Sequence, residues 1–573
     1  MIKLMFKYSL VMLVVGLGSA PLLAKEMVHD AEYYILEAQN GKVWAVEDEQ
    51  LDAKLAELRE EYGTPPNLVH LMWDDQPFGA VGIPAMQKIR GYETPNLNRM
   101  ADEGMLFTRM YTEPSCTPTR AAALSGQHPV RNGMYTVGFP VEYHGMSNET
   151  VTIAEVLTKA GYATAFYGKA HLGDIEEAWM HNQGFDEALV AIYNQVGSLW
   201  HAGAESANAV LGLVPEVLAE DPLKLDDTFR TQGWVSFYEG KKGGETLEWC
   251  GTSYECYKKF DPEAQARALD FISRSAKAEK PFYLAWWPQW VSFIPDSVKT
   301  SLQRGIVGDG YMTMLDPAAE KLMKTLKDLG IAENTLVIAM ADNGPMTHNP
   351  PPGLGMGEGL FSGGKGDFRE GGVRVPAQAW WPGVIQPGQV VGDIIHVTDL
   401  FTTFMRLAQA EKHAPKDRVI DGIDQTALLL NGETHGRRDF VFVYSGNQLG
   451  ATVKGNFKQH WISSDPGAAS GIAAAYFDLL NDPREDVPLL VNMMHYKEPF
   501  MRMRARHELW MKKYPNREAG RGPAYTGIAN ARPETIAVNT PALEFKSLPF
   551  DPMEFIEHFD ELPPGPDGEP NPQ

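Results

Sequence analysis

Short apolar runs recur along the chain at Asn67–Trp73, Ala163–Tyr167, Phe282–Trp287, Thr335–Met340 and Ala377–Trp381. Continuous apolar runs of this kind predict strands buried on both faces. Between them, Ile153–Ala160 and Met314–Leu329 carry apolar residues at helical spacing. Strands alternating with helices predict an α/β fold, a large mainly parallel sheet flanked by helices, over residues 65–435. Residues 25–64 are charged and helix-favouring and read as an N-terminal helical arm, broken by Pro65-Pro66. From about residue 436 to 561 the segments shorten, as in Phe440–Tyr444 and Ala475–Leu479, which predicts a smaller C-terminal α+β domain. The Pro- and Gly-rich end, residues 562–573, reads as a disordered tail.

The chain starts with lysines at positions 3 and 7, an apolar run from Leu10 to Leu17 and small residues up to Ala24. That pattern predicts a signal peptide over residues 1–24 and a periplasmic or secreted mature protein. No other stretch is long and apolar enough to span a bilayer, so no integral membrane segment is expected in the mature chain. The 573 residues include 74 acidic and 51 basic side chains, a net charge of -23. This balance argues against a nucleic-acid partner, and an anionic ligand has to be captured by a local basic pocket. In an oxidising compartment Cys250 and Cys256 are close enough in sequence to pair, which leaves Cys116 alone.

Polar groups of chemical interest follow the predicted strands: Asp74 and Asp75 after one, Lys169 and His171 after another, Asp342 and Asn343 after a third. Ligands of open α/β sheets bind outside the carboxyl ends of the strands, so these groups are expected to converge. In Ser115-Cys116-Thr117-Pro118-Thr119-Arg120-Ala121-Ala122-Ala123-Leu124-Ser125-Gly126, Pro118 suits a first helical turn and Gly126 an end. Cys116 then lies at a helix N-terminus, which favours anions, with Arg120 one turn along. His128, His144, His201 and His396 belong to no motif and read as core or surface residues. Trp286, Trp287 and Trp290 read as core packing, with an aromatic substrate wall as the alternative.

Cys116-x-Pro118-x-Arg120 resembles the signature around the catalytic residue of the sulfatase family. The resemblance extends to Pro66–Asp75, Thr94–Gly104, Gly168-Lys169-Ala170-His171-Leu172-Gly173, Ala341-Asp342-Asn343-Gly344, Gly363-Gly364-Lys365-Gly366 and Glu370–Pro376, in family order. Tyr476–Pro483 resembles the family's C-terminal turn. The resemblance implies an alkaline phosphatase-like fold and an arylsulfatase-type enzyme. It also implies a metal, Ca²⁺ or else Mg²⁺, held by Asp74, Asp75, Asp342, Asn343 and the residue at Cys116; the side-chain oxygens among these are hard ligands suited to either ion.

In the family, the cysteine at this position is converted by a maturase to formylglycine. Its hydrate attacks sulfate sulfur, and a sulfated-enzyme intermediate then releases sulfate. The resemblance further implies that Arg120 braces the nucleophile, that Lys169 and Lys365 bind the sulfate of a small-molecule or carbohydrate ester, and that His171 accepts a proton. An ungapped alignment puts Ser292 where family members often carry a histidine, and a shifted alignment that places Gln289 there leaves the same gap. Lys365, His348 or water would then protonate the leaving group. Alternatives on the same fold are a phosphonate or phosphate ester hydrolase, or a catalytically degenerate sulfate-ester-binding protein.

Overall fold

The computed structural model describes residues 27–90, 92–138, 142–193, 237–251, 254–289, 312–345, 360–462, 475–489 and 494–533. The expected signal peptide, the Pro/Gly tail, Trp290, Ser292, His348 and His201 lie outside the described residues. So do residues 194–236.

In chain order the strands are β1 (Asn67–Trp73), β2 (Met105–Tyr111), β3 (His144–Gly145), β4 (Ala163–Lys169), β5 (Glu187–Ala191), β6 (Phe237–Lys241) and β7 (Thr246–Cys250). They continue as β8 (Phe282–Trp287), β9 (Thr335–Ala341), β10 (Arg374–Trp380), β11 (Gln389–Val391) and β12 (Ile395–His396). The remaining ones are β13 (Phe440–Ser445), β14 (Gln448–Lys454), β15 (Phe457–His460), β16 (Tyr476–Asp478) and β17 (Gly520–Arg521).

Eleven of these strands form one mixed sheet in the order β11-β2-β10-β9-β1-β8-β4-β5-β6-β7, with β12 also on β2. Its centre, β9-β1-β8-β4-β5, is parallel throughout. Every residue of β1, β8 and β9 is buried, which is why these strands read as unbroken apolar runs. β10 runs antiparallel between β9 and β2, and β6 antiparallel to β5. Helices such as Ile153–Lys159, Tyr254–Lys277 and Met312–Asp328 cover the faces. The first of these starts with a capping box in which Thr152 and Glu155 exchange hydrogen bonds.

Residues Ala31–Tyr62 form one long helix, opened by the Asp30 carboxylate and closed by Gly63 in the left-handed region. Ion pairs from Glu47 to Arg437 and from Asp48 to Arg437 and Arg406 hold it to the body. The strands β13-β14-β15-β16 make a separate antiparallel sheet. Cys250 and Cys256 form a disulfide, and Cys116 is free and buried.

Candidate active site

The parallel strands β9 and β1 are neighbours and β4 follows beyond β8, and the polar groups predicted to converge do so at their carboxyl ends. The Trp73 carbonyl accepts the Asp342 N–H at 2.8 Å, the Asn343 carbonyl accepts the Gln76 N–H at 3.0 Å, and Asp342 Oδ1 accepts the Asp75 N–H at 3.0 Å. These bonds lock the ends of β1 and β9 together. Asp75 and His171 both adopt left-handed backbone, with φ of 53° and 55°. Such conformations cost on the order of 1–3 kcal/mol in a residue with a Cβ and concentrate at functional sites. Ahead of Lys169, Gly168 is required: a Cβ there would lie 1.8 Å from the Trp287 carbonyl oxygen.

Cys116 opens the helix Cys116–Ser125, which Gly126 ends in the left-handed region. Its Sγ lies 2.9 Å from Lys365 Nζ and 3.4 Å from Lys169 Nζ, and 3.8 Å from Asp75 Oδ1. Lys365 also donates to both oxygens of Asp75, at 2.8 and 2.9 Å. Lys169 Nζ donates to Asp74 Oδ2 at 2.7 Å. Arg120 bridges Asp74 and Asp342, donates to the Lys169 carbonyl at 2.6 Å and stacks 5.3 Å from the Trp287 ring. Three carboxylates thus face three cations around one sulfur.

The electrostatics follow from that packing. Burial opposes charge on Asp74, yet Lys169, Arg120 and Lys365 hold its carboxyl well below the usual range. Burial and then the Asp74 charge push Asp342 up to about 6, against the pull of Arg120 and Lys169. Burial and then Asp342 push the Cys116 thiol up to about 12, against the pull of both lysines. A thiol held this firmly is a poor thiolate nucleophile. Burial disfavours the Lys365 ammonium, but Asp75 and the groups around it keep it well above its ordinary value. Burial, then Lys169, lowers His171 well below its ordinary value. Its Nε2 sits 2.9 Å from the Gly138 carbonyl, which can only accept, so Nε2 carries the proton. Nδ1 is then an acceptor, with no partner among the described residues.

The same residues fit a hard divalent cation. Asp74, Cys116 and Asp342 each place one donor atom within 4.8 Å of the others. Asn343 donates its Nδ2 to Asp75 Oδ1 at 2.7 Å, while its Oδ1 is buried without a partner among the described residues. Three carboxylate groups and a spare amide oxygen are the donor chemistry of Ca²⁺ or Mg²⁺.

Sequence reasoning missed two groups nearby. Asp261, on the helix Tyr254–Lys277, is buried and accepts the Gln289 N–H at 2.7 Å, just past the end of β8. Glu113, three residues before Cys116, lies with His128 and His396 in a buried cluster. Only strand pairing could have revealed that cluster. Trp286 and Trp287 are fully buried and serve packing.

The family model for sulfatases matches residues 66–287 and 307–410. N-acetylgalactosamine-6-sulfatase of Mus musculus is 34% identical over 478 residues, 76% of this chain and 84% of the relative. Arylsulfatase A of Homo sapiens is 35% identical over 460 residues, 74% of this chain and 83% of the relative. Among solved structures, the PsFucS1 sulfatase from Pseudoalteromonas sp. shares the fold with a TM-score of 0.69 at 28% identity. It covers 83% of this chain and 96% of its own.

Proposed function

The chain belongs to the sulfatase family, and on that premise we propose that it hydrolyses sulfate monoesters, sugar sulfates foremost, with Cys116 matured to formylglycine. The observation that carries this reading is the setting of Cys116: a buried, unreactive thiol clamped between Lys169 and Lys365 above a carboxylate cluster. The setting makes chemical sense for an oxygen nucleophile at that position. Formylglycine supplies one, as the hydroxyl of a hydrated aldehyde that attacks sulfur. Sugar sulfates come first because N-acetylgalactosamine-6-sulfatase matches most of the chain.

Asp74, Asp75, Asp342 and Asn343 are the side chains that would hold Ca²⁺, which would lower the pKa of that hydroxyl and offset charge on the sulfate. Arg120 fixes Asp74 and Asp342 and adds positive charge beneath position 116. Lys169 and Lys365 reach the space above Cys116 and bind sulfate oxygens as negative charge develops. His171, neutral with a free Nδ1, accepts a proton. Export to the periplasm or medium follows from the N-terminal pattern. Among the described residues no helix is long and apolar enough to cross a membrane.

The test is the mass of the tryptic peptide Met110–Arg120 from protein made in a maturase-competent host, together with turnover of aryl and sugar sulfates. An aldehyde at position 116 and sulfate release that Cys116→Ala abolishes, a loss of at least about 10³-fold, are expected. An unmodified thiol in active protein would refute the formylglycine mechanism. Faster turnover of matched phosphate or phosphonate esters would move the enzyme to the alternative substrate class.

A further inference from the structure

Glu113, His128 and His396 come from three segments that frame the Cys116 helix. Glu113 follows β2 in the loop before the helix, and its backbone carbonyl accepts Thr119 Oγ1 at 3.0 Å. His128 follows the helix. His396 ends β12, which pairs with β2 so that His396 stands opposite Tyr111. All three side chains are buried. His128 Nδ1 lies 2.8 Å from Glu113 Oε1, and His396 Nε2 lies 3.8 Å from the same oxygen.

Two polar atoms in this cluster have no hydrogen-bond partner among the described residues: Glu113 Oε2 and His396 Nε2. In a dry interior such atoms cost on the order of 1–3 kcal/mol each. His396 Nδ1 lies 2.8 Å from Thr398 Oγ1 and 3.4 Å from the Thr398 N–H; in the tautomer that donates Nδ1–H to Oγ1, Nε2 keeps its lone pair for a ligand. A tetrahedral ion with bonds of about 2.0–2.1 Å spaces its donors about 3.3–3.4 Å apart. The two separations here fall on either side of that value.

We propose that Glu113, His128 and His396 form a second metal site, for a first-row divalent cation of the Zn²⁺ type, separate from the Asp74–Asp342 cluster. Two imidazole nitrogens and one carboxylate are a borderline donor set that suits zinc and not calcium. Bound there through Glu113 Oε1, zinc satisfies the orphaned His396 Nε2 and pins the loop before the helix to the loop after it and to β12. Its role is to fix the position of residue 116, not to touch substrate.

The test uses the full chain, loaded with Zn²⁺ or Co²⁺ and dialysed in calcium buffer. About one tightly held zinc per chain is expected, with the visible bands of four-coordinate cobalt and no sulfur-to-cobalt charge-transfer band. His396→Gln and Glu113→Gln are expected to lower zinc retention at least about tenfold and leave calcium content unchanged. If either variant fails to fold, the wild-type cobalt spectrum decides, because it needs no substitution. Folded wild type that retains no zinc, a sulfur charge-transfer band that places the ion at Cys116, or undiminished zinc in His396→Gln would each overturn the proposal.

Discussion

Two buried ionic clusters in this protein are built from the same residue types and differ in how completely they are satisfied. Between the large sheet and the C-terminal sheet, Lys458 donates to Glu370 at 3.0 Å and to Glu485 at 3.3 Å. Tyr111 and Arg374 occupy the other oxygen of Glu370, at 2.9 and 3.4 Å. Glu485 also accepts the Glu370 N–H at 2.6 Å and pairs with His460 at 2.5 Å. Every carboxylate oxygen there has a partner. Around Cys116, by contrast, Asn343 Oδ1 and His171 Nδ1 have none among the described residues. Saturation marks a cluster that joins two layers; spare lone pairs mark one that waits for a ligand.

The largest expected effect tests the saturated side. Lys458→Met leaves Glu370 and Glu485 buried without their cation, and removing one partner of a buried pair costs about 3–5 kcal/mol. Calorimetry should show that loss, while kcat/KM of the molecules that remain folded stays near wild type. An equal loss of turnover in the folded fraction would show that the two clusters are coupled.

Lys365→Ala tests the other side. Removing one preorganised charge from a developing oxyanion costs about 10²–10³-fold in kcat, and the fold should tolerate it in calcium buffer because a bound cation would compensate Asp75. Sulfate-ester kinetics and a melting curve on one sample check both halves. Unfolding without a selective drop in kcat would make Lys365 a structural residue like Lys458.

How much of this was legible follows from the same contrast. The strands β1, β4, β8 and β9 announced themselves because parallel strands buried on both faces are apolar throughout. The residues at their carboxyl ends, Asp74, Lys169 and Asp342, could be read because the topology fixes where such ends meet. The hairpin β6–β7, with its mixed Phe237-Tyr238-Glu239-Gly240-Lys241, carried no comparable signal, and neither did the reversed direction of β10. Glu370 lies in a stretch that resembles a family motif, yet the structure sends its side chain to Lys458 in the other sheet. Glu113, His128 and His396 are far apart in sequence, and only the pairing of β12 with β2 brings the last of them to the first.

The smallest expected effect is a pH dependence at the margin of the active-site cluster. Asp261 is buried; burial raises its pKa, the Gln289 N–H opposes this, and the Asp74 charge adds to it, for a value of about 7 against 3.8 ordinarily. The folded state therefore binds the Asp261 proton more tightly than the unfolded chain does. Between pH 3.8 and about 7 the folded state holds more protons, so this group makes stability fall as pH rises through that window; its cost is complete above about 7 and absent below 3.8. Asp261→Asn keeps an acceptor oxygen for the Gln289 N–H and removes the charge. It should be more stable than wild type at pH 8, by on the order of 1–2 kcal/mol, with the gap closing toward pH 4 in denaturant titrations. A gap that stays constant from pH 4 to 8 would mean that Asp261 does not titrate in this window. The unsatisfied character of the site would then stop at Asn343 and His171 and not reach its margin.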